Sequence, residues 1–140
     1  MVIYSDDTFK DIFATVKTIA LVGASAKPDR PSHKVMAFLQ SKGFRVIPVN
    51  PGLAGQELLG EPVFADLAAI DDHVDMVDIF RNSEAVPQIT EEAMAAFPKL
   101  KVIWMQLGVS HDEAAKVAED AGVTVIQDRC PKIEITRLGL

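Results

Sequence analysis

The residues best suited to chemistry lie at 18–32, T-I-A-L-V-G-A-S-A-K-P-D-R-P-S. An apolar run over 19–22 ends at Gly23, and a loop of small residues carrying Lys27 and Arg30 leads to a helix start at Ser32. Backbone N–H groups, a helix N-terminus and positive charge thereby converge on one point, which suits a phosphate or diphosphate. The ligand implied is of nucleotide type. Between Gly23 and Gln40 the cations Lys27, Arg30 and Lys34 meet a single carboxylate, Asp29, in a chain of formal net charge −6. An acidic chain that is basic at one loop concentrates its attraction for anions there. The same balance argues against general affinity for nucleic acid, which needs an extended basic face.

Other reactive side chains are dispersed. His33, His73 and His111 lack the spacing of a local metal site and no cysteine pairs with them, so no metal centre is expected. His111 falls inside Ser110-His111-Asp112-Glu113, which has capping-box spacing, and His73 reads as solvated in an acidic loop beside Asp71 and Asp72. His33 reads as a surface residue in the first turn of the helix after the loop. No nucleophile–base pair is recognisable, so no catalytic residue is assigned. The single cysteine, Cys130, excludes an internal disulfide and agrees with a reducing compartment.

These residues need a scaffold, and the hydrophobic pattern describes one. Apolar runs over 18–22, 44–49, 76–80, 101–106 and 123–127 read as strands, each almost wholly apolar, as when both faces of a sheet are covered. Helical spacing marks 5–17, with Ser5 or Asp6 as cap and Phe9, Ile12, Phe13 and Val16 inward. It also marks 32–42 with Gly43 as its stop, a stretch from Asn82 or Ser83 to Ala96 with Pro87 tolerated near the first turn, and 110–121. Ser32 and Ser110 serve as caps. A short strand near Val63, a short helix over 66–70 and a tail over 128–140 that packs back complete the reading. The expected fold is α/β: three layers, α/β/α, around a five-stranded, mainly parallel sheet, in one domain over 1–140 with the helix 5–17 packed on it. Such sheets bind ligands beyond the carboxyl ends of their strands, near the switch in strand order. The candidate rim is therefore 23–32, 50–52, 80–83, 106–110 and 128–132.

With 49% apolar and 24% charged residues, no apolar run of membrane-spanning length and no signal-peptide pattern over 1–17, a cytoplasmic protein without membrane contact is expected. A dinucleotide fingerprint needs three spaced glycines and an acidic residue closing the second strand. Here Gly23 stands alone and the strand closes with Val49-Asn50-Pro51, which removes the usual ribose contact of NAD. No glycine-lysine-serine or glycine-lysine-threonine triplet follows Gly23, so a Walker loop is absent. An NAD(P)-linked redox protein stays open as an alternative, because Arg30 could serve the extra phosphate of NADP.

Several separated motifs carry a resemblance. They are V-G-A-S at Val22 to Ser25, K-P-D-R-P-S at Lys27 to Ser32, V-I-P-V-N-P at Val46 to Pro51, D-M-V-D-I-F-R at Asp75 to Arg81, W-M-Q-L-G at Trp104 to Gly108 and D-R-C at Asp128 to Cys130. In this order they resemble the small, stand-alone coenzyme A-binding proteins of Rossmann-like fold. Those proteins are related to the N-terminal domain of the succinyl-CoA synthetase alpha subunit and of NDP-forming acyl-CoA synthetases. The resemblance runs from 18 to 138 and implies coenzyme A or a short acyl-CoA as ligand. It implies that Gly23, Ala24 and Ser25 approach the diphosphate through backbone and hydroxyl donors. Arg30 and Ser32 would lie near phosphate groups, with Lys27 and Lys34 as helpers. Asn50 and Pro51 would border the adenosine, and Phe80 and Arg81 would flank the adenine or the phosphate rim. The pantetheine arm would pass towards Gln106 and Gly108. Plainer accounts stand beside these: Asn50 as a turn former, Phe80 as core, Trp104 as packing.

A synthetase would also need a domain with a phosphorylated histidine and a nucleotide-grasping partner. The implied role is therefore carrier, sensor or regulatory binding protein, not a stand-alone enzyme, with a detached synthetase-like subunit as alternative. A homodimer or protein partner stays open, because the first helix either covers the sheet edge or mediates association. Cys130, beside Arg129 on the rim, raises the expectation of a reversible mixed disulfide with the coenzyme A thiol.

Overall fold

The structure, a computed structural model, describes residues 3–140. In chain order its elements are α1 Asp6–Thr15, β1 Thr18–Val22, α2 Pro31–Ser41, β2 Arg45–Val49, β3 Glu57–Leu58, β4 Glu61–Pro62, β5 Met76–Ile79, α3 Val86–Ala96, β6 Val102–Met105, α4 Asp112–Asp120, β7 Thr124–Ile126 and α5 Pro131–Leu138. Short 3₁₀ turns occupy Pro51–Leu53, Leu67–Ala69 and Ser83–Ala85. The main sheet runs β2-β1-β5-β6-β7 with every neighbouring pair parallel, while β3 and β4 form a separate antiparallel hairpin. The chain starts in the interior of the sheet, steps to β2 on one flank and then crosses to β5 on the other. The order of strands thus switches between β1 and β5.

Side chains of successive strand residues go to opposite faces, and both faces are closed. Ala20, Val22, Val77 and Ile79 pack with α3 and α4, whereas Ile19, Leu21, Met76 and Trp104 pack with α1, α2 and α5. Trp104 centres the second layer: it is fully buried, its indole N–H donates to the Arg129 carbonyl at 2.9 Å, and Phe9 and Phe13 of α1 lie 5.7 and 5.6 Å from it. The helix α1 therefore lies over a face of the sheet through Phe9 and Ile12. No helix among the described residues is long and apolar enough to cross a membrane.

Several local expectations need correction. Pro31 takes the first turn of α2, where its fixed φ and missing N–H are no burden. Arg30 therefore stands in the cap position without a side-chain bond, and Ser32 lies inside the helix and is no cap. At α4 the cap is His111, not Ser110: the ring Nδ1 accepts from the Ala114 N–H at 3.1 Å. His73 is not simply solvated, since its Nε2 lies 2.8 Å from an Asp75 carboxylate oxygen. The tail is a helix, α5, opened by Pro131 and closed by Gly139 in the left-handed region at φ 70°.

Two buried aspartates, Asp75 just before β5 and Asp78 within it, behave oppositely. Asp75 accepts from the backbone N–H groups of Lys17 and Thr18 at 2.9 and 3.0 Å, fastening the start of β1 to β5. Burial pushes its carboxyl up, but these bonds and His73 outweigh it and hold it below the usual carboxylate value. Asp78 lies fully buried between Leu21 of β1 and Trp104 of β6, and neither of its oxygens meets a donor among the described residues. Burial alone drives its carboxyl well above the usual value.

Outside the sheet, Pro48 of the edge strand β2 offers its carbonyl to the Phe64 N–H at 3.1 Å, and the Asn50 N–H donates to Phe64 in return at 2.9 Å. This returning segment forms a parallel bridge with Val49.

A group whose folded pKa is raised takes up a proton on folding, so the stability cost of Asp78 is nil at acid pH and grows as pH rises above about 4. Asp78→Asn removes the titration at constant size. Denaturant melts should show the variant more stable than the parent at pH 7, with the gap closing near pH 4. A gap that ignores pH would show that ionisation of Asp78 is not its source.

Candidate functional site

The rim above the carboxyl ends of β1, β2 and β5 is organised by a turn at Gly23. Its φ is 92°, a left-handed value that suits glycine, and a Cβ there would run into the Phe80 carbonyl oxygen. The Gly23 and Ala24 N–H groups both donate to the Val49 carbonyl, at 3.0 and 3.3 Å. Asn50 then bridges the two loops: its Nδ2 donates to the Ala24 carbonyl at 2.7 Å while its Oδ1 accepts from the Gly52 N–H at 2.8 Å.

This arrangement corrects the donor assignment. The amides of Gly23 and Ala24 are engaged inside the protein and face the strand-end carbonyl. Along the loop from 25 to 33, the N–H groups with no acceptor among the described residues are those of Ser25, Ala26, Asp29, Ser32 and His33. The last two open α2, where such orphan donors are inherent to a helix start and carry the positive end of its dipole. The Ser25 hydroxyl accepts from the Lys27 N–H at 3.1 Å and so shapes the loop. Ser32 itself is buried.

Four exposed cations surround this point: Lys27, Arg30, Lys34 and Arg81. None of them pairs with a carboxylate among the described residues. Uncompensated positive charge beside free amides draws a polyanion.

Three depressions meet here. The central one, about 630 Å³, is lined by Gly23, Ala24, Ser25, Lys27, Arg30, Ser32, Asn50, Phe80 and Arg81. A cleft of about 340 Å³ opens on the α3 side, with Val22, Val49, Pro51, Leu67 and Ile89 as apolar walls and Asp66 and Gln88 as polar edges. On the other side a groove of about 1120 Å³ runs between α2 and α5, where Lys34 and Gln106 join Phe80 and Arg81. Arg81 lines all three. Gln106 is 5% exposed, yet its side-chain oxygen meets no donor among the described residues. Cys130 lies buried in the wall of the same groove, just before α5.

All twelve residues singled out from the sequence line one or another of these depressions. Sequence reasoning missed the cleft residues Asp66, Leu67, Gln88 and Ile89 and the groove residue Ile133. The first set comes from a 3₁₀ turn and α3, whose apolar positions read as ordinary core. Ile133 belongs to α5, a helix within the stretch that the sequence marks only as a tail packing back. His33 lies half-buried in the first turn of α2. No cluster of metal-binding side chains occurs among the described residues.

The parallel sheet and its switch point define a Rossmann-like α/β fold, with a basic, amide-lined loop at the carboxyl ends of its strands. Residues 17–136 match the CoA binding domain family, and the chain belongs to it. It is 40% identical over 124 residues to the uncharacterized protein YneT of Bacillus subtilis (strain 168), with 89% of each chain covered. The solved structure of cell-free ID.343 from Thermus thermophilus superimposes with a TM-score of 0.90 at 37% identity, covering 96% of this chain and 99% of that one. Over 80 residues the chain is also 35% identical to the alpha subunit of an ADP-forming acetate–CoA ligase of Pyrococcus furiosus. That match spans 54% of this chain and 17% of the subunit.

Gly23→Ala places a methyl group against the Phe80 carbonyl in a backbone region costly for alanine. It should lower stability by about 2 kcal/mol or more, read as a lower denaturant midpoint. An unchanged midpoint would mean that the β1–β5 junction is free to open.

Proposed function

We propose that this chain binds coenzyme A, or a short acyl-CoA, in an extended path across the three depressions. The diphosphate lies in the central one, against the Ser25, Ala26, Ser32 and His33 amides and the guanidinium groups of Arg30 and Arg81. Lys27 and Lys34 add positive charge at its margins. The adenosine fills the cleft beside Pro51, with Asn50 holding the loop that borders it. The pantetheine arm enters the groove past Phe80 towards Gln106. The observation that carries this reading is the succession of three different chemistries along one rim, joined at Arg81: an apolar cleft with polar edges, a cationic centre and a long apolar groove. That succession matches a ligand built from a base, a diphosphate and a flexible arm.

The role we assign is that of a carrier, sensor or regulatory binding protein acting in the cytoplasm. The walls of the depressions offer no nucleophile with a base at hydrogen-bond distance among the described residues. Family membership supports coenzyme A as the ligand class, and the likeness to part of a ligase subunit supports its acyl thioesters.

Thermal-shift titration of the full chain with coenzyme A, NAD and NADP tests the ligand, since a ligand that binds the folded state raises the melting temperature. A rise with coenzyme A is expected; a rise with NADP and none with coenzyme A would overturn the assignment. Arg30→Ala and Arg81→Ala should each weaken coenzyme A roughly tenfold or more, the usual weight of a charge-assisted phosphate contact, with the fold intact. Unchanged affinity in either variant removes that arginine from the site.

The position of Cys130 gives a covalent readout. Its thiolate can displace one thiol from coenzyme A disulfide, leaving a protein–coenzyme A disulfide and one free coenzyme A. Intact-mass measurement after exposure to that disulfide should show a single adduct, reversed by reductant and absent in Cys130→Ser. No adduct would place the arm away from Cys130.

A further inference from the structure

We infer that the groove between α2 and α5 is an acyl-chain site, so that the preferred ligand is a thioester with an apolar chain of several carbons and not free coenzyme A. This rests on the coenzyme A reading above and names the class of acyl group. The groove meets the central depression at Pro31, Phe80 and Arg81, which fixes the end where a diphosphate hands over to the arm. Gln106, Leu107, Val109 and Ile133 line the groove alone and so mark the region that the rest of the ligand must fill.

Two features describe what that region takes. The first is Gln106, nearly fully buried, with a side-chain oxygen that no donor among the described residues reaches. A buried acceptor left open is costly, and an amide N–H of the arm would satisfy it. The second is apolar surface gathered from separate elements. Leu107 after β6 and Ile133 on α5 are 56% and 50% exposed, and both face the same groove as Val109 and Phe80. Isolated exposed leucines are ordinary, but two converging on one concave wall form a binding surface. The arm itself ends in a small thiol and leaves this surface wet. An alkyl chain carried on that thiol covers it. Among the described residues no carboxylate lines the groove, while Lys34 and Lys132 do, which suits the anionic body of the same ligand.

Isothermal titration of the full chain with coenzyme A and its acetyl, butyryl, hexanoyl, octanoyl and glutaryl thioesters tests the inference. Affinity should rise roughly two- to fourfold per methylene from butyryl to octanoyl, the increment expected for burying CH₂ groups. Leu107→Asp and Ile133→Asp alter exposed side chains, so folding is not at stake. In each, the ratio of octanoyl to free coenzyme A affinity should collapse towards one. Free coenzyme A bound with no gain from chain length overturns the acyl site and leaves the coenzyme A reading standing. No binding of any member overturns both. Glutaryl tighter than octanoyl means that the groove selects a charged terminus, which also overturns it. So does a dimer in sedimentation that Leu107→Asp or Ile133→Asp dissociates, because the surface then belongs to a second copy of the chain.

Discussion

The Phe80 carbonyl oxygen comes so near the Gly23 Cα that only a hydrogen fits between them, and the course of the ligand-facing loop follows from this contact. At this height β1 is fastened on both sides: Phe80 donates to Val22 at 2.8 Å, and Gly23 donates to Val49 at 3.0 Å. A residue with φ near 92° turns the chain out of the sheet there, and α2 starts eight residues later with its N-terminus over the rim. Asn50 locks the exit by holding the Ala24 carbonyl. The amides that remain free are thus chosen by what the neighbouring strands have already taken. Side-chain identity in the loop matters less than backbone direction, which is set at one junction.

Charge is distributed along the strands in a way that reconciles a net charge of −6 with a site for a polyanion. At the amino ends of β2 and β5 charges are held by internal partners. Arg45, first in β2, meets Glu61 and Asp72, and Asp75 is held by two backbone N–H groups and His73. Beyond the carboxyl ends of β1 and β5, Lys27, Arg30, Lys34 and Arg81 meet no carboxylate among the described residues. The two ends of the sheet therefore differ in kind: one is closed by internal bonds, the other left with a field that a ligand completes.

Much of this was legible in the chain before folding. Covered strands must be apolar throughout, so β1 is found at 18–22 with no change, and β2, β5, β6 and β7 only lose a residue or two at their ends. The rule that ligands gather at carboxyl ends drew all the candidate residues from one rim, where the structure gathers them around three adjoining depressions. What stayed hidden depends on distant partners. That the Gly23 and Ala24 amides point at Val49 is a property of β2, not of the loop. The helix α5 was hidden for a local reason: Ile133, Ile135 and Thr136 are β-branched and weak helix formers, so its only announcement was punctuation, Pro131 before and Gly139 after. The same holds for the capping residues of α2 and α4, where a proline and a histidine ring displaced the serines that composition favours.

Pro48 has a bearing on how such a molecule survives at high concentration. A residue's N–H and C=O leave an extended strand on the same side, and the carbonyl of Pro48 points outward to Phe64, so the missing N–H belongs to the outer margin of β2. A foreign strand arriving there finds one donor gone and the neighbouring positions taken by the returning segment. Growth of the sheet from molecule to molecule is blocked on that flank by covalent structure alone, with no help from bound ligand.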